Sequence, residues 1–426
     1  MEIKYISNAS IFLKTKNTKV LFDPWITFGN ISESNYYNFP ENKYKKKDIA
    51  SLSPDYIYIS HSHPDHFDET TLNLFDKKTP IIIANFKNPF LKRNLQQIGF
   101  KNILVSDNNL IKLNSNDFCY LEPSETTPEL DSVSFFQLDN YKILNLNDNI
   151  ANFKQSERIA NKFKNIDLAF LPYSGFGAYP MSYDNLNKRQ KIIAHNKKII
   201  QSQENFIKYI QKIKPNYVIP FAGEVLMGGS KTKFYNYGSG IGTKTKCVTF
   251  AKKKLNFNYV LMSPKCSFDF KNKIFKGKFV DNYFNKHQKY LNKIGKKKNN
   301  FTKNKDFHIT KNYEIDLTKS LEKALTNLNS SRLKRELKIP KKLVYIDIFE
   351  KSWLYKLNMK TNKVIKHKKN IDLGKEYEIF KMDYSMLVAL LTRHVVWTNI
   401  EEDIHYFRKP NTYDENLHFL MNFLAL

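Results

Sequence analysis

The feature that most constrains this chain is a run of three histidines and one aspartate within six residues, at positions 61–66 (HSHPDH). It directly follows residues 55–60, a stretch rich in tyrosine and isoleucine that predicts a β-strand. Imidazole nitrogens and carboxylate oxygens bind zinc, iron or manganese, and a strand end leaves a bound ion accessible to a substrate. The sequence therefore predicts a metal site that takes part in chemistry.

The spacing within this motif favours two neighbouring ion positions. His61 and His63 can converge on one ion, whereas Asp65 and His66 can converge on a second, with the two ions about 3.5–4 Å apart. The candidate metal ligands within the motif are His61, His63, Asp65 and His66, and Asp65 is also the candidate catalytic residue, able to orient or deprotonate a nucleophile.

The composition indicates a folded protein without a nucleic-acid partner. Of the 426 residues, 41% are hydrophobic and 14% aromatic, far from the composition of a disordered chain. The formal charge is +28, but only seven of the 69 basic residues are arginine, the side chain that recognises phosphate with paired hydrogen bonds. We therefore expect a small anionic substrate.

The cysteines and the lack of long apolar segments indicate where in the cell the protein is found. Cys119, Cys247 and Cys266 are far apart in the sequence, which predicts no disulfide framework and fits a reducing cytoplasm. The N-terminus lacks the apolar core of a signal peptide, and the chain lacks an apolar run of about 18 residues. We expect a cytoplasmic protein with no membrane span.

Strand and helix signals divide the chain into three predicted parts. Strand candidates at 2–12 and 19–22 precede the motif, and a long helix is predicted at 188–214, so the first part is of the α/β class. Later candidates are strands at 342–348 and around 364–365 and a helix at 384–391. We predict a catalytic domain over 1–270, a lysine-rich linker or exposed segment over 271–305, and a smaller accessory domain over 306–426.

Two glycine-rich segments, 228–231 and 238–244, carry Lys231 and Lys244. Such backbone can cradle a phosphate group, although the spacing is not that of a P-loop and a flexible surface loop is the alternative. Lys231 and Lys244 are the candidate substrate-binding residues.

The histidine motif and the upstream segment 20–25 (VLFDPW) resemble the metallo-β-lactamase superfamily. The resemblance implies a four-layer αββα sandwich with its site at one edge of two sheets, here followed by a smaller α+β C-terminal domain. It also implies a further histidine ligand, a bridging aspartate and a last histidine after a late strand. Asp148, which follows an apolar strand candidate, matches the bridging aspartate and is the fifth candidate metal ligand, with an ordinary turn aspartate as the alternative interpretation. This chain departs from that pattern, because it has no histidine between His66 and His195 and shows Phe221-Ala222-Gly223 after the late strand.

Within the superfamily, segments 55–70, 141–145, 167–183 and 220–223 resemble, in the same order, the catalytic region of CMP-N-acetylneuraminate hydroxylases. Where that family has a histidine, this chain has Thr127, and Glu125, Glu129 or Asp131 could substitute. The family draws electrons through a Rieske [2Fe–2S] module, which needs closely spaced cysteines and histidines. The three cysteines of this chain are too far apart in the sequence for such a module, so we expect no intrinsic Fe–S cluster. Either a separate ferredoxin or Rieske protein supplies the electrons, or the protein is not an oxygenase. The expected cofactor is one or two transition-metal ions (iron or zinc, with manganese possible).

Three functions stay open at this point. The first is an oxygenase-like metalloenzyme similar to CMP-sialic acid hydroxylase, acting on an anionic sugar or nucleotide-sugar. The second is a zinc- or manganese-dependent hydrolase of a phosphodiester, ester or amide. The third is a non-catalytic binding protein with a decayed metal site, which the missing histidines would explain.

Overall fold

The computed structural model of the protein describes residues 1–26, 36–86, 89–126, 131–229, 232–297, 313–334, 337–394, 397–401, 403–410 and 414–426. These residues form two compact units. The first unit takes the described residues up to 297 except 177–194, and the second takes 177–194 and the described residues from 313 onward. Among the helices so described, none combines the length and the apolar character needed to cross a membrane.

The described part of the chain up to residue 297 contains seventeen strands. In chain order they are β1 (Glu2–Ser7), β2 (Ser10–Lys14), β3 (Lys19–Phe22), β4 (Tyr36–Asn38), β5 (Tyr56–Tyr58), β6 (Ile81–Ala84), β7 (Ile103–Ser106), β8 (Leu110–Lys112), β9 (Phe118–Pro123), β10 (Ser132–Leu138), β11 (Tyr141–Asn145), β12 (Leu168–Pro172), β13 (Tyr217–Phe221), β14 (Val225–Met227), β15 (Asn258–Tyr259), β16 (Ser267–Asp269) and β17 (Ile274–Lys276).

The α-helices over the same described residues are α1 (Lys46–Ala50), α2 (Glu69–Leu72), α3 (Phe90–Gln97), α4 (Phe153–Phe163), α5 (Lys188–Ile213), α6 (Thr232–Gly238), α7 (Lys244–Lys252) and α8 (Gln288–Gly295). A short 3₁₀-helix, Phe284–His287, precedes α8.

Two sheets of the first unit pack face to face. One has the strand order β17-β16-β1-β2-β3-β5-β6-β7 and the other the order β15-β13-β12-β11-β10-β9-β8, while β4 and β14 form a separate pair. Buried apolar side chains from both sheets share one core, among them Val20 and Phe22 from the first sheet and Phe136 and Phe170 from the second. The rings of Phe22 and Phe136 lie 4.8 Å apart between their centroids, so the two sheets are in direct contact.

Helices cover the outer face of each sheet. Leu72 of α2 and Leu95 of α3 join the core on the outside of the first sheet. Ile159 of α4, Phe206 of α5 and Val248 of α7 join the core on the outside of the second. The layers run helix, sheet, sheet, helix, and the predicted αββα metallo-β-lactamase sandwich is confirmed.

The second unit is built on a mixed five-stranded sheet. Its strands are β18 (Leu343–Ile348), β19 (Trp353–Asn358), β20 (Lys363–Lys368), β21 (Tyr377–Met382) and β22 (His405–Lys409), in the order β20-β19-β18-β21-β22. Its helices are α9 (Leu317–Lys334), α10 (Tyr384–Leu391), α11 (Trp397–Ile400) and α12 (Glu415–Met421). The sheet and its helices agree with the predicted smaller α+β C-terminal domain.

Several predicted elements occur as expected and two do not. The long helix α5 and the helix α10 are confirmed. The strand predicted over 2–12 is two strands, because Asn8 adopts a left-handed conformation, with φ of 44°, and turns the chain between β1 and β2. Residues 271–297 of the segment predicted as a linker or exposed segment belong to the first unit: β17 is exposed, whereas Leu291 and Ile294 give α8 a buried apolar face. The end of that predicted linker, 298–305, lies outside the described residues.

Strand direction brings the loops of both sheets to one edge. In the first sheet β3 and β5 run parallel, and in the second β11, β12 and β13 run parallel. Parallel strands present their carboxyl ends at the same edge of a sheet, which is where polar side chains of successive loops can meet. The histidine motif follows β5, and Asp148 follows β11.

The contact between the sheets generates a stability prediction. Replacing Phe136 by Ala would leave a cavity between Phe22 and Tyr58, whose ring centroids lie 4.8 and 5.6 Å from that of Phe136. We expect the free energy of unfolding to fall by about 3–5 kcal/mol in urea denaturation followed by circular dichroism. Leu110→Ala, at a side chain 52% exposed on β8, is the matched control, with an expected change within about 0.5 kcal/mol. Equal losses for the two variants would contradict the shared core.

Candidate metal centre

Loops at the ends of strands from both sheets carry the polar side chains of the site. Asp23 follows β3, and Ser60 begins the loop that carries the histidine motif after β5. Asp148 follows β11 of the facing sheet, and Asp131 immediately precedes β10. The site is therefore assembled by residues that are distant in sequence and that belong to two different sheets.

His61 and His63 form the first pair of donors. Nε2 of His61 lies 2.9 Å from Nδ1 of His63, and the two rings meet edge to face with centroids 4.4 Å apart. Burial lowers the pKa of His61 to about 3 and lowers the pKa of His63 well below its usual range. Both imidazoles are therefore neutral, the form in which histidine binds a metal.

The outer nitrogen of His61 is held in place by its neighbours. Nδ1 lies 2.8 Å from Oγ of Ser60 and 3.3 Å from Oδ1 of Asp131. A proton on Nδ1 shared with these oxygens leaves the lone pair of Nε2 directed toward His63. Such an outer hydrogen bond orients a histidine ligand and fixes its tautomer.

His66 is the centre of the second group of donors. Its Nε2 lies 3.1 Å from Oδ2 of Asp148 and 3.5 Å from Oδ2 of Asp65, while its Nδ1 lies 2.8 Å from Oδ2 of Asp23. Burial alone would lower the pKa of His66, but the carboxylates of Asp148, Asp65 and Asp23 outweigh burial and raise the pKa well above its usual range. Three acids thus stabilise a positive charge at this point.

The two acids beside His66 differ in character. Burial raises the pKa of Asp65 to about 6, and Asn8 donates a hydrogen bond of 2.9 Å to its Oδ2. Burial would also raise the pKa of Asp148, but His66 outweighs burial and holds that pKa well below its usual range. The side chain of Asp148 is 32% exposed, whereas that of His66 is fully buried, so the site opens to solvent on the Asp148 side.

Two asparagines fix the loop that carries Asp148. Nδ2 of Asn147 donates to the hydroxyl of Tyr58 and to the carbonyl of Ser132, and Nδ2 of Asn149 donates to the same carbonyl. The hydroxyl of Ser132 in turn donates to the carbonyl of Ser60, next to the histidine motif. These bonds link the Asp148 loop to the first sheet and set its distance from His66.

The donor set fits a transition-metal ion. Ligand atoms of His61, His66 and Asp148 all lie within 4.8 Å of one another. Oδ1 of Asp148 is buried and has no hydrogen-bond partner in the described part of the chain, which leaves one carboxylate oxygen available as a ligand. The negative charge that raises the pKa of His66 would equally stabilise a cation at its Nε2.

The structure brings the five predicted metal ligands together, and their role as ligands stays a prediction. Among the residues considered as substitutes for the missing third histidine, Asp131 lies behind His61, on the Nδ1 side. Glu125 is exposed and pairs with Arg158, its Oε1 lying 2.9 Å from Nη2. Glu129 and Thr127 lie outside the described residues.

Of the two predicted substrate-binding lysines, Lys244 requires a correction. Lys244 is 1% exposed, its Nζ lies 3.0 Å from Oε1 of Glu224, and it donates to the carbonyl of Met262 at 2.7 Å. The structure gives Lys244 an interior ion pair rather than a substrate contact, because α7 begins at this residue and packs its first turn inward. Lys231 lies outside the described residues.

Sequence reasoning missed three residues of the site, Asp23, Ser60 and Asn8. Asp23 directly follows the parallel strand β3, and Ser60, like His61 and Asp148, lies within three residues of the end of a parallel strand. This position was the available signal. Asn8 had no such signal, because it lies inside what reads as a continuous strand.

The beta-lactamase superfamily domain family matches residues 2–222. A protein of Mycobacterium tuberculosis that carries the name Rieske 2Fe-2S iron-sulfur protein is 27% identical over 232 residues, 52% of this chain and 44% of that protein. The cytidine monophosphate-N-acetylneuraminic acid hydroxylase of Mus musculus is 24% identical over 234 residues, 52% of this chain and 39% of that protein. This chain therefore spans less than half the length of either relative.

A shorter similarity points to a hydrolase. A metal-dependent hydrolase of Salinibacter ruber is 29% identical over 87 residues, 20% of this chain and 32% of that protein. The relatives thus include a hydroxylase and a hydrolase, in agreement with the expected metalloenzyme. With the family match over more than half of the chain and the αββα layers around the histidine motif, the protein belongs to the beta-lactamase superfamily.

Proposed function

We propose that this protein is a metal-dependent enzyme that hydroxylates an anionic sugar or nucleotide-sugar, with electrons from a separate ferredoxin or Rieske protein. The observation that carries the metal dependence is the arrangement of donor atoms. His61 and His63 form one pair, Asp65 and His66 form another, and Asp148 lies against the second pair.

The chemistry of these donors suits a reactive ion. Three imidazoles and two carboxylates, with no sulfur among the five, bind iron, zinc or manganese. One or two such ions bound there supply Lewis-acid or redox chemistry to a substrate that enters from the exposed side of Asp148.

The protein's own side chains prepare the site. Asp23 accepts a hydrogen bond from Nδ1 of His66 and so leaves Nε2 of that ring directed toward Asp148. Asp65 lies beside the same Nε2 and is the residue that we propose to orient the nucleophile or to take its proton. His61, Asp65 and His66 are buried, whereas His63 and Asp148 are partly exposed.

Hydroxylation is supported by the relatives that match the larger part of this chain. One is named a hydroxylase of a CMP-linked sugar acid and another a Rieske iron–sulfur protein. The charge of +28 favours an anionic substrate and an acidic electron carrier. We propose that the protein works in the cytoplasm, where its three buried thiols would stay reduced.

A second function, hydrolysis of a phosphodiester, ester or amide, is favoured by the similarity to the Salinibacter ruber hydrolase. The same donors would bind zinc or manganese, and Asp65 would then deprotonate or orient a water molecule.

The two functions predict different results for protein purified without oxygen. For the hydroxylase we expect iron in elemental analysis, and oxygen consumption that needs both reduced ferredoxin and a CMP-linked sugar acid, with a product heavier by one oxygen atom in mass spectrometry. Stoichiometric zinc, no oxygen consumption and cleavage of bis(p-nitrophenyl) phosphate would instead favour the hydrolase.

Removal of the first donor pair tests the metal centre itself. We expect the double variant His61→Ala/His63→Ala to lose most of the bound metal and all detectable turnover, because the remaining donors lie around His66 alone. Elemental analysis and the oxygen or cleavage assay measure this. His195→Ala is the control, since His195 lies on α5, accepts a hydrogen bond from the backbone N–H of Gly240 and belongs to no part of the site. Metal content equal to wild type in the double variant would contradict the proposed centre.

Asp23→Asn tests the orientation of His66. Oδ1 of Asp23 accepts from the backbone N–H of Ser60 at 2.7 Å, so the asparagine oxygen would stay there and its NH₂ would face Nδ1 of His66. Nδ1 would have to accept, the ring proton would move to Nε2, and we expect metal affinity to fall by about 10–100-fold in a chelator competition assay.

The control for this variant is Asp55→Asn, at an exposed aspartate just before β5. Unchanged metal affinity in a folded Asp23→Asn protein would show that Asp23 acts in folding only.

A further inference from the structure

Asn8 is a buried amide that touches the proposed metal centre from a distant part of the chain. It lies in the turn between β1 and β2 with 1% exposure and a φ of 44°. Its Nδ2 donates to Oδ2 of Asp65 at 2.9 Å. Its Oδ1 accepts from the backbone N–H of Glu224 at 2.9 Å.

These two contacts leave only one orientation for the amide. A backbone N–H can only donate, so the atom of Asn8 that faces Glu224 must be the oxygen. The NH₂ group must then face Asp65. The Oδ2 atom that receives this bond is also the one 3.5 Å from Nε2 of His66. Asn8 thus occupies one lone-pair direction of that oxygen and leaves another toward His66.

The two residues that precede Glu224 have a backbone conformation that few residues adopt. Ala222 and Gly223 both have positive φ, 64° and 71°. A Cβ at Gly223 would lie 2.7 Å from the carbonyl oxygen of Ser174, so glycine is required there. Left-handed backbone in a non-glycine residue persists where the surrounding structure enforces it, and it is concentrated at functional sites.

A buried ion pair anchors this turn. The carboxylate of Glu224 lies 3.0 Å from Nζ of Lys244 and accepts hydrogen bonds from the hydroxyls of Tyr5 and Tyr173. Glu224 and Lys244 are each 1% exposed. The hydroxyl of Tyr5 also lies 2.7 Å from the carbonyl oxygen of Asn8, so one hydroxyl joins the anchor to the turn that carries the amide.

We infer that Asn8 is a positioning residue for the metal ligand Asp65, and that the Glu224–Lys244 pair fixes Asn8 by holding the turn at 222–224. The inference rests on the proposed metal centre. It assigns a role to the point after β13 where the superfamily resemblance implies a histidine: the backbone there orients a ligand indirectly, through the β1–β2 turn.

Asn8→Gly tests this assignment, because glycine accepts a φ of 44° without strain and removes only the amide. The probe is Co²⁺, added to metal-free protein, with affinity from titration and geometry from the visible absorption spectrum. We expect affinity to fall by about 10–100-fold and the spectrum to change. Asn236→Ala is the matched control: Asn236 is also buried, accepts from one backbone N–H and donates to one carbonyl of Met227, and we expect wild-type binding.

A second variant keeps the test valid if Asn8→Gly fails to fold. The aspartate of Asn8→Asp has nearly the same shape as asparagine and still accepts a hydrogen bond from the backbone N–H of Glu224. It places a carboxylate oxygen, in place of the NH₂ group, against Oδ2 of Asp65, so the hydrogen bond to Asp65 is lost. We again expect weaker Co²⁺ binding or an altered spectrum. Wild-type affinity and spectrum in either folded variant would overturn the inference while leaving the metal centre in place. A wild-type protein that binds no Co²⁺ would overturn both.

Discussion

The rest of the site depends on the hydrogen bonds that the carboxylate of Asp23 accepts. It is fully buried, and it accepts hydrogen bonds from the backbone N–H and hydroxyl of Ser60 and from Nδ1 of His66. One side chain thus ties the end of β3 to both ends of the histidine motif. Burying a carboxylate without hydrogen-bond partners would cost free energy, so Asp23 can be buried because these three donors are present.

The site is built from the loops of two sheets that pack through a common core. The first sheet contributes the histidine motif and the second contributes Asp148, and the contact of Phe22 with Phe136 is part of the core that the two sheets share. Near the site this apolar contact gives way to polar side chains: Tyr58 and Ser132 lie within 3.0 Å of each other across the two sheets. The change from apolar to polar packing marks the boundary between the shared core of the two sheets and the site.

The histidine motif could be predicted because its donors lie within six residues of one another, and the apolar patterns predicted α5 and α10. The four-layer sandwich was predicted from the resemblance to the metallo-β-lactamase superfamily and not from local sequence. The strand break at Asn8 could not be predicted, since the left-handed turn is stabilised by Asp65 and Glu224, which are far away in the chain.

Burial was the other property that local sequence did not reveal. A lysine beside a glycine-rich segment is ordinarily exposed, and only the presence of Glu224 opposite Lys244 allows that ammonium to be internal. The burial of Leu291 and Ile294 was not predicted either, because these residues lie in a lysine-rich stretch whose composition indicates a linker or an exposed segment.

The donor side chains come from both sheets, and this has a consequence for stability. A partly unfolded chain in which the sheets have separated would present the histidines without Asp148, and so would hold a cation less tightly than the intact sandwich. Any ion that prefers the assembled form adds its differential binding free energy to the cohesion of the two layers. Metal binding and the packing of the two sheets would then be thermodynamically coupled, and a bound ion would stabilise the contact between the sheets.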